Sequence, residues 1–421
     1  MPQVSARASL DGLGVSGRDA ATAAAGLLGG LGVSFAVPVG FAYGDGGPAA
    51  VIVAVVVAVL VRRGGWFVSA AALAAGVGVR FATYDVPIGA AEWVVAAVAG
   101  VAIGGAGVAF AGLGPRVRAA AAVGLGAGLM LQPEQLWFLI YVFLPEHSYL
   151  ALLMPSLLCG CAALIMMRAT PSTAMPAADQ SDARRESARL GLWLIGSFAV
   201  VAIAPSLLRL GFLPSAGSAE LFHLATLALG IVVAGLAALA GRLDDQLARA
   251  VVAAAGAGMA LWLARGLFPY PFAITGVVFV AAAASVVIAP RRIPWDVIGL
   301  CVASIGLLLQ LGQPYFLAQD LGVETLPLWV GASVALASAL GRVREVRSGG
   351  TAPVAIGVIA VLMAVYLPGT LPAPISHRWD NAAVDFTPAV WTGIAAVACV
   401  ALTKWRASAK RTDYASKKDI R

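Results

Sequence analysis

Apolar residues in this chain come in long unbroken runs. They do not alternate as in a half-buried strand, nor recur every third or fourth residue as in a surface helix. The runs cover 20–43, 48–61, 65–83, 87–112, 119–144 and 148–167, and then a polar link follows at 168–189. A second series covers 190–210, 220–240, 250–269, 272–289, 295–316 and 326–340, and two more runs lie at 352–367 and 388–403. Crossing the hydrocarbon core of a bilayer takes about 20 apolar residues in a helix. Most runs meet that length, whereas the second, twelfth, thirteenth and fourteenth borrow flanking residues. Backbone amides in lipid must be satisfied within their own segment, so each run predicts a helix. The expected fold is an all-α polytopic membrane protein of fourteen transmembrane helices arranged 6 + 6 + 2, with two pseudo-symmetric six-helix bundles. Its parts are an N-terminal segment 1–19, a first bundle 20–168, a linker 169–189, a second bundle 190–341, two additional helices in 342–403 and a basic tail 404–421.

The basic residues test this count, because Lys and Arg stay on the cytoplasmic side of short loops. With the N-terminus inside, all but four of the 28 fall on cytoplasmic segments. The exceptions, Arg80, Arg209, Arg265 and Arg378, lie at outer ends of runs or in an outer loop, and a miscounted run would have scrambled the alternation. Both termini are therefore expected in the cytoplasm, with the chain in the plasma (inner) membrane. Residues 1–19 lack the short apolar core of a cleavable signal, which predicts that the first helix stays as an anchor.

Composition narrows the chemistry. Charged residues make up 12% of the chain, against about 25% in soluble domains, so a soluble catalytic domain has no stretch to occupy. Phosphate-loop, zinc-protease and nucleophile-elbow motifs are absent, so no enzyme and no cofactor are expected. Cys159, Cys161, Cys301 and Cys399 all fall in apolar runs, and His147, His223 and His377 stand far apart, so no metal site is expected. The net charge of +7 reads as a cytoplasmic face against anionic lipid. It does not read as a nucleic-acid surface, because no basic cluster carries interleaved aromatics.

The polar link divides twelve runs into two sets of six, as in transporters built from repeated halves. After the second run of the second set stands Gly241-Arg242-Leu243-Asp244-Asp245-Gln246-Leu247-Ala248-Arg249. This loop resembles the Gly-x-Leu-x-Asp-x-x-x-Arg loop of the major facilitator superfamily. The first-set counterpart, Arg62-Arg63-Gly64-Gly65, keeps the basic residues and glycines but lacks the aspartate. The stretches 213–220 and 230–241 also resemble that family's seventh-to-eighth span region. The resemblance implies a secondary transporter working by alternating access, with Gly241, Asp245, Arg249, Arg62 and Arg63 forming a cytoplasmic gate. Physically, an acid at a helix end and arginines just beyond it can pair across the two halves and latch that side closed. The same residues also fit a solvated turn that serves only topology.

Charges within apolar runs are expensive and so mark candidate sites. Arg80 and Arg265 lie about fifteen residues into equivalent helices, the third and the ninth. Either they face a shared central cavity and bind an anionic or polar solute, or they snorkel to the outer headgroups. Glu134 sits in Gln132-Pro133-Glu134-Gln135 within the fifth run, where the proline bends the helix around a polar patch. A carboxylate there suits proton coupling, protonated when dry and ionised when the cavity opens; the alternative is a short outer loop. Gln310, Gln313 and Tyr315 are uncharged candidates for the same cavity, and Glu92 and His223, near outer helix ends, either extend such a binding or coupling network or mark the membrane interface. Glycine pairs such as Gly100/Gly104 have the spacing that lets helices approach closely.

The thirteenth and fourteenth runs fall outside the repeat, and an accessory role or a membrane-protein partner is expected for them. Three functions remain open on the sequence: a secondary transporter for a small polar or amphipathic solute, with proton-coupled efflux as one form; a flippase for a lipid-linked precursor, a class that also pairs twelve spans with two; and a non-transporting membrane scaffold.

Overall fold

The computed structural model describes residues 17–36, 47–61, 63–82, 88–130, 148–169, 181–207, 218–266, 293–309, 326–343, 351–370 and 389–404. Every regular element among them is helical. The helices are α1 (Gly17–Ser34), α2 (Gly47–Leu60), α3 (Gly65–Ala82), α4 (Ile88–Ala111), α5 (Pro115–Met130), α6 (Ser148–Ala169) and α7 (Ser181–Leu207). They continue as α8 (Ser218–Leu243), α9 (Asp245–Gly266), α10 (Trp295–Leu309), α11 (Leu326–Val343), α12 (Thr351–Tyr366) and α13 (Ala389–Lys404). Each coincides with one of the apolar runs; the tenth run, 272–289, lies outside the described residues. By length and composition alone, segments Trp93–Ala111, Thr226–Leu243 and Leu326–Val343 are sufficient to cross a membrane, and Gly47–Leu60, Trp295–Leu309, Ala352–Tyr366 and Ala389–Lys404 are apolar but shorter.

α7 begins at Ser181, inside the stretch 169–189 expected as the linker. Hydropathy marks where a helix enters lipid, whereas its start is set by local pairing. Arg189 donates to Glu186 three residues earlier at 2.9 Å, and Ser187 and Leu190 are already buried.

Small residues set the packing. In the first set, α1 lies against α5 and α6, α4 against α2 and α3, and α3 against α6. A Cβ on Gly30 would collide with the Ala121 carbonyl of α5, and one on Gly100 with the Ala50 carbonyl of α2. Gly104 meets α2 one turn further on, against Ala54, so the Gly100/Gly104 pair does face a neighbouring helix. With lipid as apolar as the side chains, such contacts gain from dispersion and from polar bonds, not from expulsion of water. Ser69 supplies one such bond, donating to the Ala102 carbonyl at 2.8 Å across the α3–α4 contact, and Ser156 donates to Ala70 at 2.8 Å across α6–α3. The α2–α3 turn is made by Gly64, whose φ of 72° lies in the left-handed region that a side chain disfavours.

In the second set, α9 is the hub, in contact with α8, α10, α11 and α12. The α10–α11 contact is backbone-close: a Cβ on Gly299 would run into Gly331 and Ala335. The two sets meet where α2 touches α7, with Gly191 against Val55 and Gly47 against Phe198, and where α5 touches α11.

The last two helices do not stand apart as the sequence led one to expect. Every position from 353 to 368 is buried, because α12 packs between α2 and α4 of the first set and α7, α8 and α9 of the second. A helix apolar on all sides is stable where protein surrounds it, and α12 takes that place. By contrast, α13 presents Val390, Ile394 and Val397 outward as a lipid-facing stripe while its other face lies on the second set.

Candidate functional site at the basic helix ends

The α8–α9 junction is a single residue long. Asp244 is that residue, and its carboxylate accepts from the Gln246 amide at 2.7 Å, capping α9. The abrupt reversal aims the first turns of α9 back into the bundle: Asp245 is exposed, while Leu247 and Ala248 are buried and Arg249 is 9% exposed.

Arg249 meets an acid that the loop motif does not contain. Its Nε and Nη2 both donate to the carboxylate of Asp296, the Nη2 bond measuring 2.5 Å. Asp296 lies in the first turn of α10, where the helix dipole favours a negative charge, and its side chain is wholly buried. Arg342, in the last turn of α11 where the dipole favours a cation, reaches the same carboxylate at 3.3 Å. Arg342 also donates from Nη1 to Gln246 Oε1 at 2.6 Å. The remaining Arg249 terminus, Nη1, donates to Thr403 Oγ1 of α13 at 2.7 Å. The Cys399 thiol lies one turn earlier on α13, 4.0 Å from the Arg249 carbonyl.

One carboxylate and two guanidinium groups thus join the basic ends of four helices, α9, α10, α11 and α13. In a low-dielectric setting such a fork-shaped pairing is strong and directional. It is also intolerant of losing one member, which would leave an uncompensated buried charge. Among the described residues no group of His, Cys, Asp or Glu could hold a metal ion. The chemistry of the cluster is mechanical: it fixes helix ends.

The side-chain partners described for Arg249 are Asp296 and Thr403, so its charge pairing holds α9, α10 and α13 together. Arg63 is exposed, and Arg62 lies outside the described residues. Gly241 sits near the end of α8 with only ordinary contact to Ala248. A separate, more exposed pairing joins α7 to α8, where Glu186 accepts from Arg189 and lies 3.6 Å from Arg242.

Of the candidate cavity residues, Glu134, Gln132, Gln135, Gln310, Gln313 and Tyr315 lie outside the described residues. Arg80, Glu92, His223 and Arg265 fall on α3, α4, α8 and α9, but their side chains are outside the description. Sequence reasoning missed Asp296, Gln246 and Thr403 and took Arg342 for a topology marker. One signal was available: Asp296 is an acid one residue inside an apolar run, the circumstance that elsewhere marked a candidate.

The fold has known counterparts. The proton:xylose symporter XylE of the major facilitator superfamily superposes with a TM-score of 0.52 at 17% identity, covering 92% of this chain and 94% of that one. The human organic anion transporter MFSD10 gives 0.46 at 16% identity over 90% and 83%, and the peptide-transporter-family protein PepTSo gives 0.48 at 10% over 92% and 97%. No family model and no curated protein matches the sequence. By its likeness to XylE, the chain has the helical fold seen in major facilitator transporters.

Proposed function

We propose that the protein is a secondary active transporter that moves a small polar or amphipathic solute by alternating access. The observation that carries this reading is the fold shared with a proton:xylose symporter over nearly the whole of both chains. A division of labour among the helices agrees with it: charges hold the second set together, while the described α2–α7 contacts between the sets pair the glycines Gly47 and Gly191 with the apolar side chains of Phe198 and Val55. In this reading Arg80 and Arg265 face the solute, and Glu134 carries a coupled proton. The membrane is the plasma (inner) membrane, with both termini in the cytoplasm.

The test is thermal unfolding of the detergent-purified protein against sugars, organic anions, peptides, cationic drugs and lipid-linked sugars, followed by uptake of any stabilising compound into proteoliposomes. A ligand that binds only the native state raises its stability. The expected result is a stabilising solute whose effect is lost in Arg80→Ala and whose uptake loses its response to a pH gradient in Glu134→Gln. A lipid-linked sugar as the sole stabilising compound would instead support a flippase.

One observation favours a second reading, a non-transporting scaffold. α12 is buried on every side between the two sets and has no polar side chain from residue 352 to residue 365. No stabilisation across the panel, with both variants as stable as the parent, would favour that reading.

A further inference from the structure

We propose that Trp329 and Ser333 of α11 hold an uncharged, oxygen-bearing part of the solute, a hydroxyl or a carbonyl. The inference rests on the transporter reading and names the chemistry of what is carried.

Both side chains are buried, Ser333 completely and Trp329 to 5% exposure, and their polar atoms, the indole Nε1–H and the hydroxyl, have no hydrogen-bond partner. A buried polar group left unpaired costs stability, so native structures rarely keep one without a use for it. Hydroxyls elsewhere in these helices avoid that cost by bonding their own backbone. Ser69, Ser197, Thr392 and Thr403 each donate to a carbonyl three or four residues earlier. Ser333 does not, although the Trp329 carbonyl stands in the same relation to it. The indoles of Trp66, Trp295 and Trp391 are unpartnered too, but among the described residues only Trp329 has a second unpaired group one turn along its own helix.

Four residues apart, the two groups share a face of α11. Gly331 and Ala335, on the opposite side, take the backbone-close contact with α10. The pair is thus turned away from α10. α11 is also in contact with α9, with α12 and, from the first set, with α5.

The chemistry of the pair selects its ligand. An indole N–H only donates, whereas a serine hydroxyl donates or accepts. A ligand that satisfies both brings an oxygen lone pair to Trp329 and either a lone pair or a hydroxyl proton to Ser333. The one charge on α11, Arg342, lies about 14 Å along the helix from Ser333 and is engaged by Asp296 and Gln246. Between them this face carries Leu336 and Leu340, both buried. An ion seated at the pair would lose its hydration with no opposite charge on α11 to replace it, whereas a hydroxyl or carbonyl finds its bonds made.

The test begins with Ser333→Cys in the full chain. Native membranes are treated with iodoacetamide, a small uncharged alkylating agent, and modification of each cysteine is followed by peptide mass spectrometry. Cys399, fully buried, is the reference within the same molecules. The treatment is repeated with added polyols, sugars and amides, and with carboxylates and amines of similar size. The expected result is that the introduced thiol is alkylated at least about tenfold faster than Cys399 and is protected by an uncharged compound. Three outcomes overturn the inference: reaction as slow as that of Cys399, protection by charged compounds alone, or reactivity that no compound reduces, as in a crevice that admits only water.

Trp329→Phe keeps an aromatic ring and removes the N–H, leaving Ser333 intact. About tenfold more of the protecting compound should then be needed for the same thermal stabilisation, the effect of one lost hydrogen bond; an unchanged requirement overturns the role of Trp329. Ser333→Ala, which deletes an unpaired hydroxyl, should unfold without ligand at a temperature no lower than the parent, and a clear fall would show that the hydroxyl serves the fold instead. A protecting compound that is never taken up into proteoliposomes would defeat the transporter reading and leave the site standing. Uptake of a solute by a protein whose introduced thiol is silent would do the reverse.

Discussion

Arg249 and Asp296, 47 residues apart in sequence, form a two-pronged ion pair at the start of two helices, with the Asp296 side chain wholly buried. Arg342 completes the charge cluster from a third helix. The arginine that gave the α8–α9 loop its resemblance to a transporter gate thus works inside the second set, as a clamp on neighbouring helix ends.

Asp296→Ala leaves two buried guanidinium groups facing one another without their shared carboxylate. Removing one member of a buried ion cluster costs about 3–5 kcal/mol, so the variant should lose most of its cooperative thermal unfolding transition in detergent. A triple variant with Arg249→Met, Asp296→Leu and Arg342→Leu should recover much of that loss, because an apolar replacement strands no charge.

Thr403→Val removes one acceptor from Arg249 while Asp296 still holds the other two donors. The expected loss is about 1 kcal/mol, read as a small fall in the unfolding temperature. A larger loss would mean that α13 depends on this bond for docking as a whole.

Glu186→Ala tests the exposed counterpart of the buried cluster. Its partners Arg189 and Arg242 have side chains 61% and 59% exposed, so solvent screening leaves the pairing worth well under about 1 kcal/mol. Stability should be nearly unchanged, and the small difference should vanish at high salt. An effect comparable to Asp296→Ala would show that Glu186 has a further partner of consequence.

Glycines separate into two kinds. Gly258→Leu forces a side chain into the Val365 carbonyl and should destabilise by at least about 1–3 kcal/mol. Gly78→Ala and Gly196→Ala enter open space within helices and should each stabilise by about 0.5–1 kcal/mol, the helix penalty of glycine. Unfolding midpoints of the three variants check both signs; a stabilising Gly258→Leu would refute the close α9–α12 approach.

Much of the helix inventory could be read from the sequence, because the length of an apolar run and the sidedness of arginines are properties of single segments. The Gly100/Gly104 contact was legible for the same reason: spacing along one helix fixes which residues share a face. The clamp was only half legible. Arg249 carried a motif, but Asp296 and Thr403 are ordinary residues near helix ends, and their significance depends on which ends lie side by side. The position of α12 could not be read at all. Its run resembles α13 in length and apolar character, yet one is enclosed by protein and the other borders lipid.

The sequence by itself determined which segments are apolar enough to leave water as helices, since the free-energy difference between water and hydrocarbon is large and local to each segment. Only the tertiary structure decided which apolar helix lies at the centre, which borders lipid, and which charges find one another. The physical reason is that lipid and apolar side chains are nearly equivalent surroundings. Placement within the membrane therefore follows from close fit between small residues and from a few charged bonds between segments distant in the chain.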